Sequence, residues 1–188
     1  MGSWAVTAPF FEEAVPGSCA LSEVMPPRLP DGGIVLPEPL IFNMTLTRDT
    51  SSNAAWMTLA GFSREGTFDG QYFSNVAEAT RVFTECRTCQ MRIIERIDVA
   101  VLSRSQANKI AETFGGECPR NILDFVVVPA PNDAGITAPA QTPLGFDAAR
   151  LCGFISNEVV ADASEDGGAC DSKCSGCFLT FQARGERR

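Results

Sequence analysis

Apolar and polar side chains alternate with a period of two in run after run of this chain, and no other feature restricts the fold as much. Such alternation sets one face of a strand against a core and the other toward solvent. In SWAVTAPFF, Trp4, Val6, Ala8 and Phe10 alternate with Ala5, Thr7 and Pro9. In LIFNMTLT, residues 40–47, Phe42, Met44 and Leu46 point one way and Asn43, Thr45 and Thr47 the other. In CQMRIIERIDVAVL, residues 89–102, Met91, Ile93, Ile97, Val99 and Val101 share a face that only Glu95 interrupts, with Arg92, Arg96 and Asp98 opposite. The final run, CFLTFQA, places Cys177, Leu179, Phe181 and Ala183 on one side. AAWMTLAGF (54–62), NILDFVVV (121–128), RLCGFIS and NEVVA read as further strands, and residues 64–70 as a Gly-containing turn.

One segment has a different period. Ser103 and Gln106 have the spacing of a capping box, Ala107, Ile110, Ala111 and Phe114 recur at helical spacing, and Gly115-Gly116 stops the run. The spacing predicts one short helix over 104–114. Many strands with a single helix predict a mainly β fold, an antiparallel β-sandwich or jelly roll. The Pro-rich run VMPPRLPDGGIVLPEP separates the first strand from the rest. The expected organisation is therefore an N-terminal strand plus linker over 1–39 and a single sandwich domain over 40–188.

Charge and missing residue types narrow the chemistry. The net charge is −8, and the only Lys/Arg cluster is Arg184, Arg187 and Arg188, so no nucleic-acid partner is expected. No apolar stretch is long enough to cross a bilayer, so no membrane insertion is expected. Glu12 and Glu13 stand where a leader's apolar region would lie, so the expectation is a mature form without a signal peptide. With no histidine, Ser-His-Asp and Cys-His catalytic pairs are excluded and the commonest metal ligand is missing. Catalysis would need paired carboxylates; Glu12, Glu13, Glu95, Asp98 and Asp124 are available, but nothing in the sequence places two of them together. No enzyme and no cofactor are expected.

The eight cysteines, Cys19, Cys86, Cys89, Cys118, Cys152, Cys170, Cys174 and Cys177, set the compartment. Cys170, Cys174 and Cys177 have a spacing similar to the cluster loop of radical-SAM enzymes, but too little chain follows for that barrel. Cys86/Cys89 and Cys174/Cys177 form two C-x2-C pairs, which lie too far apart for a zinc ribbon. The remaining reading is disulfides that pin long loops in an oxidising compartment, with the pairing open. An extracellular location follows as the expectation. Asn43-Met44-Thr45 adds an N-glycosylation acceptor on the outward face of its strand.

From Cys89 to Ala183 the chain resembles a CUB domain, an extracellular β-sandwich module. The match runs CQMRI, GECPRNILDFVVV, RLCGFIS and GCFLTFQA. The resemblance implies that Cys118 and Cys152 form the second disulfide of that family. It also implies that Asp124 stands at a position that ligates calcium in some members, with Asn157 as the nearby partner. The helix is an insertion, Cys177 interrupts the Gly-Phe pair that opens the last strand, and Cys86, Cys170, Cys174 and Cys177 are extra. The resemblance implies a recognition or assembly module rather than an enzyme.

Two functional expectations follow. In the first, the chain is an extracellular structural subunit. Its N-terminal strand, residues 3–11 with Trp4, Val6, Ala8 and Phe10, adds to a neighbouring copy and builds a homo-oligomer or filament. In the second, the chain is a CUB-like module that binds protein or glycan through its loops, 129–147 and the acidic 162–173 (Asp162, Glu165, Asp166, Asp171), the latter also a candidate for calcium.

Overall fold

The sheet closes on itself. The computed structural model describes residues 2–9, 39–49, 51–52, 54–59, 61–83, 86–126, 148–162 and 176–188, and in it eight strands form a closed barrel. They are β1 (Gly2–Ala8), β2 (Leu40–Arg48), β3 (Ala54–Leu59), β4 (Phe62–Asp69), β5 (Tyr72–Phe83), β6 (Cys86–Ser103), β7 (Ala148–Asp162) and β8 (Cys177–Arg187). Each strand pairs antiparallel with the next in sequence, and β1 pairs with β8 from Trp4↔Arg187 to Thr7↔Arg184.

This overturns the sandwich or jelly roll expected from the sequence. There is one sheet, and its strand order is the chain order. Side-chain alternation is the same in a sandwich and a barrel; what decides between them is the fate of the first strand. Read as a tethered strand apart from the domain, β1 instead fills the gap between β2 and β8. Close approach there requires a missing side chain: a Cβ on Gly185 would lie 3.0 Å from the Cβ of Trp4 and 3.1 Å from Cγ2 of Val6. Gly153 on β7 meets β6 more tightly still, its absent Cβ falling 2.1 Å from the Asp98 carbonyl oxygen.

The barrel interior is filled by side chains, as in other small barrels. Trp4, Val6, Met44, Met57, Phe73 and Leu151 are each at most 1% exposed. The faces assigned from alternation hold in the middle of the barrel, where Trp4, Val6, Ala8, Met44, Leu46, Ile97, Val99, Val101, Phe181 and Ala183 are buried, whereas Phe42, Met91, Ile93, Cys177 and Leu179 are only partly buried. Glu95, the acid on the apolar face of β6, meets Arg64 of β4, whose Nε donates to Oε1 at 2.5 Å. The expected turn over 64–70 is therefore part of β4, its alternation hidden by Arg64 and Gly66. The two short strands expected around Cys152 and Val159 are one, β7. β4 and β5 pair only from Thr67↔Ser74 to Asp69↔Tyr72. Beyond that point β5, β6, β7 and β8 continue as a four-stranded sheet.

The helix α1 (Arg104–Phe114) forms as its caps predict. The Ser103 hydroxyl accepts from the Gln106 backbone N–H, and the Ser103 N–H donates to Gln106 Oε1 at 2.8 Å. Gly115 ends the helix in the left-handed region, at φ 63°. Ile110 of α1 seals a second core on the outer face of the barrel with Ala100, Leu102, Cys118, Ile122 and Cys152. A disulfide joins Cys118 to Cys152. The strand expected at 121–128 is instead a 3-10 turn, Ile122–Phe125. Both edges of β6 beneath it are already taken by β5 and β7, so the segment makes its backbone bonds locally, Asp124 N–H to the Asn121 carbonyl and Val126 N–H to the Leu123 carbonyl. Val127 and Val128 lie outside the described residues.

Gln106 joins helix, turn and barrel. Its Nε2 donates to the Phe125 carbonyl and, at 3.1 Å, to Oε1 of Gln71, whose own Nε2 returns a bond to Gln106 Oε1 and another to the Val101 carbonyl. Gln71 is only 2% exposed, so truncating its partner removes two hydrogen bonds from a buried amide, which keeps its bond to the Val101 carbonyl. Gln106→Ala is expected to cost about 2–4 kcal/mol by denaturant unfolding. Gln106→Glu keeps the bond from Ser103 N–H and is expected to lose less.

Candidate binding clefts beside the helix

Among the described residues, one cleft opens along α1 and another beyond its C-terminal residue Phe114. The first has a volume of about 490 Å³. Its helix wall is Arg104, Ala107, Asn108 and Ala111, one face at i, i+3, i+4 and i+7. The facing wall is the start of β7, Ala148, Ala149 and Arg150, and the end of β8, Glu186, Arg187 and Arg188. The gap exists because Ala107, Ala111, Ala148 and Ala149 stop at Cβ. Arg150 is held by its cross-strand partner Glu186, with Nε donating to Oε1 at 2.8 Å. Arg187 donates from a guanidinium nitrogen to the Ala148 carbonyl at 3.2 Å. Arg104 opens the helix, whose first turn carries no acid.

The second cleft, about 470 Å³, lies on the disulfide side, with Phe114, Cys118, Pro119, Arg120, Phe125 and Gln182 among its walls. Phe114 and Phe125 meet edge to face with centroids 5.6 Å apart, and the Lys109 ammonium lies 5.8 Å above the Phe125 ring. Gln182 is buried and donates to the Cys118 carbonyl, which ties the loop before the 3-10 turn to β8.

The residues singled out in the sequence fall in several places. Trp4, Val6 and Ala8 point into the chain's own core, and β1 has partners on both edges; Phe10 lies outside the described residues. Asn43 is exposed on the outer face of β2. The pairing Cys118–Cys152 that the CUB resemblance implies is present, and Cys177 is also disulfide-bonded. Cys86 and Cys89 open β6. Their side chains, and Cys19, Cys170 and Cys174, lie outside the described set, as do Glu12, Glu13, Glu165, Asp166 and Asp171.

The candidate carboxylates do not converge. Glu95 faces the barrel interior and Asp98 the outer face of the same strand, while Asp124 is exposed on the 3-10 turn and Asn157 pairs with Glu95 across β6 and β7. Asp98 accepts from Tyr72 Oη at 2.9 Å and Ser74 Oγ at 2.8 Å. Among the described residues no group of three His, Cys, Asp or Glu side chains is placed to hold a metal ion. No helix among them is long and apolar enough to cross a membrane. The arginine cleft was not legible in the sequence beyond the Arg187-Arg188 pair, because Arg104 and Arg150 reach it from distant segments.

No family model, curated protein or solved structure matches this chain.

Burial pushes the Tyr72 hydroxyl above its ordinary value of 10.0, and the bond to Asp98 and that group's charge push it the same way. As pH rises past 10.0 the unfolded chain loses this proton first, so the folded state keeps its stability below that pH and loses it above. Tyr72 is the only tyrosine, so tyrosinate absorbance reports it alone. The folded protein is expected to show none at pH 10.0, where urea-unfolded chain is half ionised. The fall in melting temperature above that pH should flatten in Tyr72→Phe.

Proposed function

We propose that the chain is a non-enzymatic recognition module of an extracellular or secretory compartment, whose ligand sits on the outside of the barrel beside α1. The division between a filled interior and an open flank carries this reading. An enclosed ligand would need the space that Trp4, Met44, Met57 and Phe73 occupy, whereas both clefts flank the helix. The Cys118–Cys152 bridge fits an oxidising compartment, and Asn43 is open to a glycan on the outer face. The test is ligand mapping by isotope-labelled NMR with a fragment library. Hits should move the resonances of residues 104–125, 148–150 and 182–188. Hits that move Trp4, Met57 and Phe73 and leave that flank still would overturn the reading.

A second reading keeps the expectation of self-association. β1 has no free edge, so a neighbouring copy engages it only by exchange, each β1 replacing the other's between β2 and β8. The connection from β1 to β2, residues 9–39, supplies the chain length for such a crossing. Light scattering on the non-reduced protein decides: particles of two or more chains are expected if exchange occurs, and a single-chain mass at every concentration sinks it.

A further inference from the structure

We infer that the open edge of β5, residues 76–82, is an interface for a second copy of this chain, which pairs its own β5 there antiparallel and joins two four-stranded sheets into one. The inference goes beyond the recognition reading, whose ligand sits beside α1, and the two fail separately.

The ladders define the edge. β4 and β5 pair only from Thr67↔Ser74 to Asp69↔Tyr72, whereas β5 stays paired with β6 as far as Phe83. Asn75 marks where the wall splits: its Nδ2 donates to the Glu65 carbonyl, which the next rung of the ladder would give to Val76. Backbone direction along β5 follows from parity. Val101 N–H donates to the Gln71 carbonyl, so odd-numbered residues of β5 bond to β6 and even-numbered ones face the other way. Among the described residues, nothing pairs with the backbone of Val76, Glu78, Thr80 and Val82 on that side. Val76 is 57% exposed, and Glu78, Ala79 and Thr80 are exposed with it. Proteins that stay monomeric guard such an edge with proline, lysine or a bulge. The run VAEATRV holds neither proline nor lysine, and the register shift comes only after it, between Val82 and Phe83. Its acid, Glu78, is paired within its own sheet, with Arg92 of β6 at 3.5 Å.

Symmetry identifies the occupant. Two antiparallel copies of one strand within one sheet are related by a two-fold axis normal to that sheet, so positions of like parity stand opposite each other. This suits an edge on which every even-numbered position offers its backbone. An axis through Glu78 would set two like charges opposite each other. An axis through Ala79 sets Glu78 opposite Thr80 of the partner copy, Arg81 opposite Ala77 and Val76 opposite Val82. In that register no like charges meet, and all four edge residues exchange backbone bonds. An unrelated extended peptide can use the same backbone groups, but only a second copy brings this register with it.

The experiment is sedimentation velocity on the intact oxidised chain over a range of concentrations up to roughly 1 mM, where a two-chain species should grow in. Thr80→Pro removes an N–H that faces away from β6, so it costs no bond within one copy and should weaken association by about tenfold or more. Val76→Lys, a charge placed on the exposed edge, should do the same. Thr58→Lys, exposed on the outer face of β3, should leave association unchanged. Ala79→Cys should form an inter-chain disulfide under mild oxidation, because Ala79 meets its own copy at the axis. Association that survives both Thr80→Pro and Val76→Lys would overturn the edge and point to exchange of β1. A dimer sensitive to both, but not cross-linked as Ala79→Cys, would overturn the two-fold pairing. A single-chain mass at every concentration would overturn the second copy and leave the edge to an extended peptide of another protein. None of these outcomes bears on the ligand beside α1, which the resonances of residues 104–125 report.

Discussion

The pairing of β1 with β8 is the interaction on which the architecture depends. Four residues of each strand join the two ends of the sheet. Without that ladder β1 and β8 would both be edges, and the core that Trp4 and Val6 help to fill would open along the seam. Closure removes the liability of unpaired backbone at this seam and commits the sheet to one curvature. It also constrains what lies inside. Large Trp4 is accommodated because Gly185 faces it, and the ionic contact of Arg64 with Glu95 on the inner face is only partly buried.

The outer flank is built on top of this frame by different means. A short helix has little stability of its own, so α1 relies on its caps, on Ile110 and on the amide pair Gln71–Gln106. The disulfide then fixes the chain beyond the helix to β7. Barrel and flank meet where small residues leave space, and this is where the clefts form. A scaffold that is rigid in its interior and irregular on one side is suited to holding side chains at fixed separations around a ligand.

Legibility followed the range of the interactions. The helix could be read to the residue because Ser103, Gln106 and Gly115 act within a few positions of each other. The inward faces of β1, β2, β6 and β8 could be read because alternation is local to each strand. Closure could not: it joins residues 4–7 to 184–187, and nothing in either segment names the other. For the same reason Glu95 looked like an exception until Arg64 met it, and the arginines of the cleft looked unrelated. NILDFVVV carried a strand-like composition, but the sheet beside it was already complete, so tertiary context overrode propensity. The Cys118–Cys152 pairing came through the family resemblance, although the sheet that carries it is a barrel rather than that family's sandwich.

The placement of the disulfide has a consequence for the order in which the molecule assembles. Cys118 and Cys152 are 34 residues apart, and α1, β6 and most of the second core are made before β8 leaves the ribosome. The flank therefore has its contacts available on the β5–β6–β7 meander while the barrel is still an open sheet. Closure must wait for the last strand, and it joins the most distant parts of the chain, the kind of contact that slows folding most. The bridge joins only residues that precede β8, so its formation does not require the barrel to be closed.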